Sequence, residues 1–338
     1  MRTDITKYGM IGPVKNVRIV TARFEEHDGQ IAEKPWFSQT ISFNKTGQMV
    51  EQLTQNPDGS EWRTVNDYSD SGNLLATRSF DTADTLISEV RYIYDANDRL
   101  AAEQQVTRDG IVTTPTTYAY DDAAGRVKIQ ELDFPGVGSM MIPIEGGTLI
   151  SAADAKRVES RYNERDEVVE VRVFNNDGAL VSRVEITRDA RGNSLEETQY
   201  IGDVFPFRAC ASDSCSTEEM PELTEEQKAE VAQLFSPGSA MSKHTHRYDT
   251  EGRLIESQLM MMGMEASRQT FAYDERGNKS EEVSYNENET SGAKAIFTRE
   301  YDEHGNWTVE LVSNASSWDA EFGLSTPSQV TRRSITYW

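Results

Sequence analysis

Basic residues and long apolar runs are both scarce, and each scarcity excludes a class of protein. With 34 basic against 57 acidic side chains, the formal net charge is −23, so nucleic acid would be repelled at long range. We read this charge as an aid to solubility, and attraction of a cationic partner is the alternative. No run of ~18 apolar residues is present, so no membrane-spanning helix is predicted. Residues 1–6 also lack the apolar stretch of a secretory signal.

Cysteine and histidine are scarce too. Cys210 and Cys215 have four residues between them in a segment rich in Ser and Asp, which favours a small disulfide and an oxidising compartment over two free thiols. His244 and His246 would share one face of a strand, but a closed metal site needs three or four ligands. No nucleophile elbow, phosphate loop or zinc-protease motif occurs. We therefore predict no catalytic residue, metal or cofactor.

What the sequence has in abundance is one recurring turn. Its pattern is Tyr-Asp-x-x-Gly, usually followed by Arg or Asn, and six of the eight intervals between turns are 25–28 residues long. Repetition at such a period indicates a repeat architecture. The turns begin at Phe43, Tyr68, Tyr94, Tyr120, Tyr162, Arg188, Tyr248, Tyr273 and Tyr301.

The chemistry of a bulged hairpin explains these residue types. Asp at the first turn position accepts hydrogen bonds from backbone N–H groups further along the turn, and Gly at the fourth takes a left-handed conformation. Asp98 and Asp166 replace this Gly in two repeats, and Asp tolerates that conformation. The predicted structural turn residues are Tyr68, Gly72, Tyr94, Asp95, Tyr120, Asp121, Gly125, Tyr248, Asp249, Gly252, Tyr273, Asp274, Gly277, Tyr301, Asp302 and Gly305.

A second, weaker turn lies near the middle of each period, as at residues 56–59 and 175–178. Two turns per period predict two strands of about eight residues each, and residues 89–94 alternate as strands do. The predicted fold is all-β, with tandem antiparallel hairpins in one long curved sheet. Because strand twist accumulates across so many strands, we expect this sheet to form an open spiral or a barrel-like shell. We predict one array over residues 1–338 with insertions at 134–153, 202–243 and 313–328. The second insertion contains one short predicted helix that Thr224 caps.

The repeat pattern resembles the YD repeat of bacterial Rhs proteins and animal teneurins. Residues 8–15, 305–308 and 333–337 also resemble the ends of short bacterial YD-repeat proteins, which are usually exported or lipid-anchored. The resemblance implies an extracytoplasmic protein, periplasmic or on the cell surface, if a leader was removed before residue 1, and a cytoplasmic one otherwise. A lipid anchor on such a leader is one option. Large Rhs proteins enclose a C-terminal toxin, and we expect none here because Trp338 directly follows the last strand.

These observations predict a non-catalytic scaffold or binding protein. Its curved β-sheet surface would meet a carbohydrate or protein ligand, since rigid sheets present Tyr, Trp and polar side chains together, although a fold alone fixes no function. Two alternatives remain: a partner or shelter protein of a bacterial toxin system, and a hydrolase with its site among the insertions. A hydrolase would require a buried cluster of perturbed acids near residues 202–243.

Overall fold

The computed structural model describes residues 4–27, 30–123, 126–133, 139–143, 149–153, 155–204, 236–285, 291–316 and 326–338. These residues contain one short helix and 22 strands. The helix is α1 (Asp4–Lys7). The strands are β1 (Val14–His27), β2 (Gln30–Phe43), β3 (Met49–Gln55), β4 (Glu61–Tyr68), β5 (Leu74–Phe80), β6 (Leu86–Tyr94), β7 (Leu100–Thr107), β8 (Val112–Asp121), β9 (Val127–Leu132), β10 (Ser139–Pro143), β11 (Leu149–Ala153), β12 (Ala155–Tyr162), β13 (Val168–Asn175), β14 (Leu180–Arg188), β15 (Ser194–Ile201), β16 (Ala240–Tyr248), β17 (Leu254–Met261), β18 (Met264–Tyr273), β19 (Lys279–Tyr285), β20 (Ser291–Tyr301), β21 (Trp307–Ser316) and β22 (Thr326–Tyr337).

The chain divides into two compact units. Unit 1 comprises Met1–Thr114, Phe271–Tyr285 and Glu289–Trp338, and unit 2 comprises Pro115–Thr270 and Asn286–Asn288. In unit 1 the antiparallel strand order is β7-β6-β5-β4-β3-β2-β1-β22-β21-β20-β19. The pairing of β1 with β22 therefore joins strands from opposite ends of the chain within one sheet.

Unit 2 has the antiparallel order β8-β9-β12-β13-β14-β15-β16-β17-β18. Strands β10 and β11 lie within the predicted insertion 134–153 and pair with each other as a separate hairpin. Strand β11 also contacts β14. Of the other two insertions, the structure describes only the ends, and these include the first residues of β16, the last of β21 and the first of β22.

Each unit has its own apolar core on one face of its sheet. In unit 2 the core includes Val171, Val173 and Val184, which are at most 1% exposed. In unit 1 the core includes Ile41 and Phe43 of β2, which pack with residues of the N-terminal segment. Alternation along the strands places these apolar side chains on one face and polar ones on the other.

The predicted all-β, antiparallel architecture is confirmed. The helix predicted after Thr224 lies outside the described residues, as do Cys210 and Cys215. Within the described part of the chain, no helix is long and apolar enough to cross a bilayer.

Candidate binding pocket

The recurring turns have the hydrogen bonds that their residue types allow. In the turn after Tyr273, Asp274 Oδ1 accepts the backbone N–H of Arg276 at 3.0 Å and of Asn278 at 2.8 Å. The N–H of Gly277, whose φ is +80°, donates to the carbonyl of Asp274 at 3.0 Å. Side-chain oxygens accept in the same way at Asn44, Asp95, Asn163, Asp189, Asp249 and Asp302.

The fourth turn position is left-handed whether or not it is Gly. Asp98 and Asp166 have φ values of 59° and 62°, and a left-handed Asp is strained less than most residues. Gly72, Gly252 and Gly305 have φ between 83° and 90°. Asp121 Oδ1 accepts the N–H of Ala123 at 3.0 Å, whereas Gly125 lies outside the described residues. Tyr248, Tyr273 and Tyr301 end strands, and Tyr120 is the residue before the end of β8.

The tyrosine of these turns has a contact that the repeat pattern alone does not reveal: its hydroxyl reaches back to an earlier turn. Tyr94 donates to the carbonyl of Leu74 at 2.9 Å, and Tyr301 donates to Asp274 Oδ2 at 2.9 Å. Tyr337, at the end of the last strand, likewise donates to Asp302. Successive repeats are therefore linked at their turns as well as along their strands.

The N-terminal segment, residues 4–13, packs against the turn end of unit 1. Ile5 and Met10 are 7% and 2% exposed and belong to its core. Backbone N–H of Ile5 donates to the carbonyl of Gly47 at 3.2 Å. Farther along, Asn306 accepts the N–H of Ile11 at 2.7 Å and donates to its carbonyl at 2.9 Å. This segment forms one wall of the depression described next.

A depression of about 640 Å³, the turn-end pocket, lies in unit 1 where α1 meets two successive turns. Most of the side chains that line it are uncharged and carry an amide or a hydroxyl group. Because amides and hydroxyls both donate and accept hydrogen bonds, they suit a polar ligand without net charge. Its lining residues are Asp4, Lys7, Asn44, Thr46, Gln48, Tyr68, Ser69, Asp70, Ser71, Gly72 and Leu74.

Hydrogen bonds within each turn and one between neighbouring turns hold the pocket's polar side chains in place. Asn44 Nδ2 donates to Gln48 Oε1 at 2.9 Å, and Gln48 Nε2 donates to the carbonyl of Gly72 at 2.8 Å. The hydroxyls of Ser69 and Ser71 lie 2.8 Å apart. Side chains fixed in this way are preorganised for a ligand, which reduces the entropy lost on binding.

The carboxylate of Asp4 lines the pocket. It accepts the N–H of Met49 at 2.8 Å and the hydroxyl of Tyr68 at 3.4 Å, and it pairs with Lys7 at 3.0 Å. Burial raises the pKa of Asp4, but these hydrogen bonds and Lys7 together outweigh burial and hold it below its usual range. Burial and the same carboxylate raise the pKa of Tyr68 to about 12. Asp4 is therefore ionised and Tyr68 neutral near neutral pH.

A second depression, about 550 Å³, lies on the sheet of unit 2, and its chemistry is different. Eight of its ten lining residues are charged, four positively and four negatively. Glu170 exemplifies the arrangement, since Arg161 and Arg172 both pair with it, at 3.1 and 3.0 Å. The lining of this depression is thus mostly charged and paired into ion pairs, whereas that of the turn-end pocket is mostly uncharged.

The histidine pair of β16 lies in unit 2. The rings of His244 and His246 are 4.4 Å apart between centroids, and His244 Nε2 lies 2.8 Å from the hydroxyl of Ser257. Burial lowers the pKa of both imidazoles. Across the described residues, no group of three or more His, Cys, Asp or Glu side chains is arranged to hold a metal ion.

Of the predicted turn residues, the structure brings Tyr68 and Gly72 into the turn-end pocket, and the others that it describes lie elsewhere. Sequence reasoning missed Asp4, which lies outside the repeat pattern, and Gln48 and Ser71, which hold variable positions of it. The signal that could have found them is the replacement of the usual Asp by Asn and Ser in these two turns.

The sequence matches no protein-family profile and no curated protein. Solved structures that resemble the chain include a porin-like protein from Bacteroides uniformis, 10% identical with a TM-score of 0.37, over 96% of this chain and 98% of that one. A TcdB2-TccC3-Cdc42 structure is 12% identical with a TM-score of 0.40, over 93% of this chain and 14% of that one. A DUF1329 family protein from Desulfovibrio piger is 8% identical with a TM-score of 0.23, over 96% and 86%. At these scores the likenesses carry no argument about function.

Proposed function

We propose that this protein is a non-catalytic binding protein whose turn-end pocket holds a carbohydrate. The observation that carries the proposal is the pocket's composition: amide and hydroxyl groups from two neighbouring turns around a volume of about 640 Å³. Ligand sites commonly occupy ~300–1,000 Å³ and fix their ligands through a few placed polar groups. Sugars present many hydroxyls, each of which can pair with the amides of Asn44 and Gln48 or the hydroxyls of Ser69 and Ser71.

The state of Asp4 supports binding rather than catalysis. Hydrolysis of a glycosidic bond needs a carboxylic acid whose pKa is raised, so that it can protonate the leaving oxygen. The hydrogen bonds from Met49 and Tyr68 act in the opposite direction and help to keep Asp4 ionised. An ionised, immobile carboxylate is suited to accepting hydrogen bonds from sugar hydroxyls.

We also propose two assignments: the protein belongs to the bacterial YD-repeat family, and it is exported. The Tyr-Asp-x-x-Gly turns, with the side-chain and backbone hydrogen bonds described above, support membership of the bacterial YD-repeat proteins. An exported protein would have its pocket outside the cytoplasm, where it could meet glycans. Neither assignment is needed for the binding test that follows.

The test is binding of neutral oligosaccharides on a glycan array, followed by calorimetry with the strongest ligand. The variant Ser71→Trp fills the pocket from the turn tip. Its matched control is Asn97→Trp, at the same turn position of the next repeat and outside the pocket. We expect Ser71→Trp to weaken binding by at least roughly tenfold, or ~1.4 kcal/mol, and the control to leave it unchanged. Absence of binding to any neutral glycan, or equal binding by both variants, would refute the proposal.

A further inference from the structure

The first two strands extend beyond their neighbours. Strands β1 and β2 each have 14 residues, whereas β3 has seven. Pairing of β2 with β3 starts at Ser38 opposite Gln55, and pairing of β1 with β22 stops at Arg23 opposite Gln329. Residues 24–27 and 30–37, the hairpin arm, therefore have backbone pairing only within the β1–β2 hairpin in the described structure.

The arm is exposed and yet held in a defined position. The first seven residues of β2 are all exposed, and they include Ile31 at 60% and Trp36 at 48%. The guanidinium of Arg23 stacks 3.5 Å from the centroid of the Trp36 ring. Two hydrogen bonds of 2.8 Å from Arg332 to Glu33 fasten the arm to β22. Two-stranded hairpins alone are marginally stable, so these contacts help to keep it extended.

The outer edge of β2 along residues 30–37 has no neighbouring strand among the residues that the structure describes. A row of unpaired backbone N–H and C=O groups is a template for another extended chain. Lys34 and Pro35 lie within this edge, and such residues are the means by which natural edges limit indiscriminate pairing. The edge is thus suited to a selected partner rather than to any strand.

The charges around the edge indicate what that partner is. The carboxylates of the arm and of the adjacent residues 56–61 outnumber the three basic groups there, Arg23, Lys34 and Arg332, the last of which pairs with Glu33. These carboxylates belong to Glu25, Glu26, Glu33, Asp58 and Glu61. A second copy of this chain, with its net charge of −23, would be repelled, whereas a basic segment would be attracted.

We propose that the hairpin arm is a docking site for a basic, extended polypeptide segment of another protein, which adds to β2 as a strand along residues 30–37. The backbone edge supplies the hydrogen bonds, and the surrounding carboxylates select positive charge. The exposed side chains of Ile31 and Trp36 supply apolar contact at the two ends of the site. This site is separate from the turn-end pocket and does not depend on a carbohydrate ligand.

The probe is a fluorescent octapeptide of alternating Lys and Val, with its Glu and Val counterpart and an N-methylated Lys version as comparisons. Anisotropy with the full chain should show binding of the Lys peptide alone, because N-methyl groups block strand pairing. Amide hydrogen exchange should slow within residues 30–37 when the Lys peptide is added. Equal binding of all three peptides, or protection elsewhere only, overturns the proposal.

A charge reversal distinguishes this edge from the general acidity of the molecule. Asp58→Lys places a cation beside the edge, and its matched control is Asp177→Lys, at the same position of an equivalent turn in unit 2. We expect the affinity for the Lys peptide to fall about three- to tenfold for Asp58→Lys and to stay unchanged for the control. An equal loss in both variants would show non-specific attraction. Concentration-dependent dimerisation that masks residues 30–37 would identify a second copy as the occupant instead.

Discussion

The side chain of Asn306 joins the first and last parts of the chain. Its removal should destabilise unit 1 more than removal of the side chain of Asn278, which lies one turn earlier. Its side chain is 1% exposed. It forms three hydrogen bonds, two with the backbone of Ile11 and one, at 2.8 Å, with the hydroxyl of Tyr337. Asn278 holds the same turn position, and its amide donates to the hydroxyl of Tyr301 at 2.9 Å.

The expected difference follows from those contacts. Each net hydrogen bond contributes ~1 kcal/mol, and a buried group left without a partner costs ~1–3 kcal/mol. Asn278→Ala should therefore lower the free energy of unfolding by ~1 kcal/mol. Asn306→Ala should lower it by ~3 kcal/mol, because it removes three hydrogen bonds where Asn278→Ala removes one.

Urea unfolding of both variants measures the two losses, and amide hydrogen exchange locates them. Exchange in residues 4–13 should quicken in Asn306→Ala and stay unchanged in Asn278→Ala. Equal losses of stability, or unchanged exchange in both variants, would show that the contacts of Asn306 with the N-terminal segment contribute nothing measurable.

Two further predictions concern the turns and the histidines. Gly277→Ala should destabilise the protein by ~1–2 kcal/mol through φ strain alone, since no atom lies within 4 Å of the added methyl group. Gly277→Asn should cost less because Asn tolerates this conformation, and thermal unfolding of both variants ranks them. The pKa values of His244 and His246 are lowered by burial, so the unfolded chain takes up protons first as the pH falls. The stability of the neutral folded pair is thus present above pH ~6.5 and declines below it. Unfolding between pH ~5 and ~8 should show this decline in the native protein and less of it in His244→Gln/His246→Gln, whereas parallel pH profiles would contradict it.

The antiparallel all-β fold could be predicted because its signals are local. An acceptor side chain at the start of a turn and a left-handed residue at its end fix where strands stop, as at Asp274 and Gly277. The reach of Tyr94 to Leu74, across 20 residues, depends on how hairpins stack, and no local pattern encodes it. The hairpin arm was not predicted either, because residues 1–42 contain no copy of the repeat turn.

The turn-end pocket lies where two successive turns depart from the usual repeat pattern. Where Asp begins a turn, as at Asp95 and Asp249, its carboxylate is occupied by the turn's own N–H groups and contributes negative charge. Asn44 accepts the same backbone hydrogen bonds through Oδ1 but adds an amide donor that a carboxylate lacks. Ser69, in the next turn, replaces a carboxylate by a smaller hydroxyl. These two replacements in adjacent repeats leave the turns intact while they add amide and hydroxyl groups to the depression between them, so the proposed ligand would bind there without disturbing the fold.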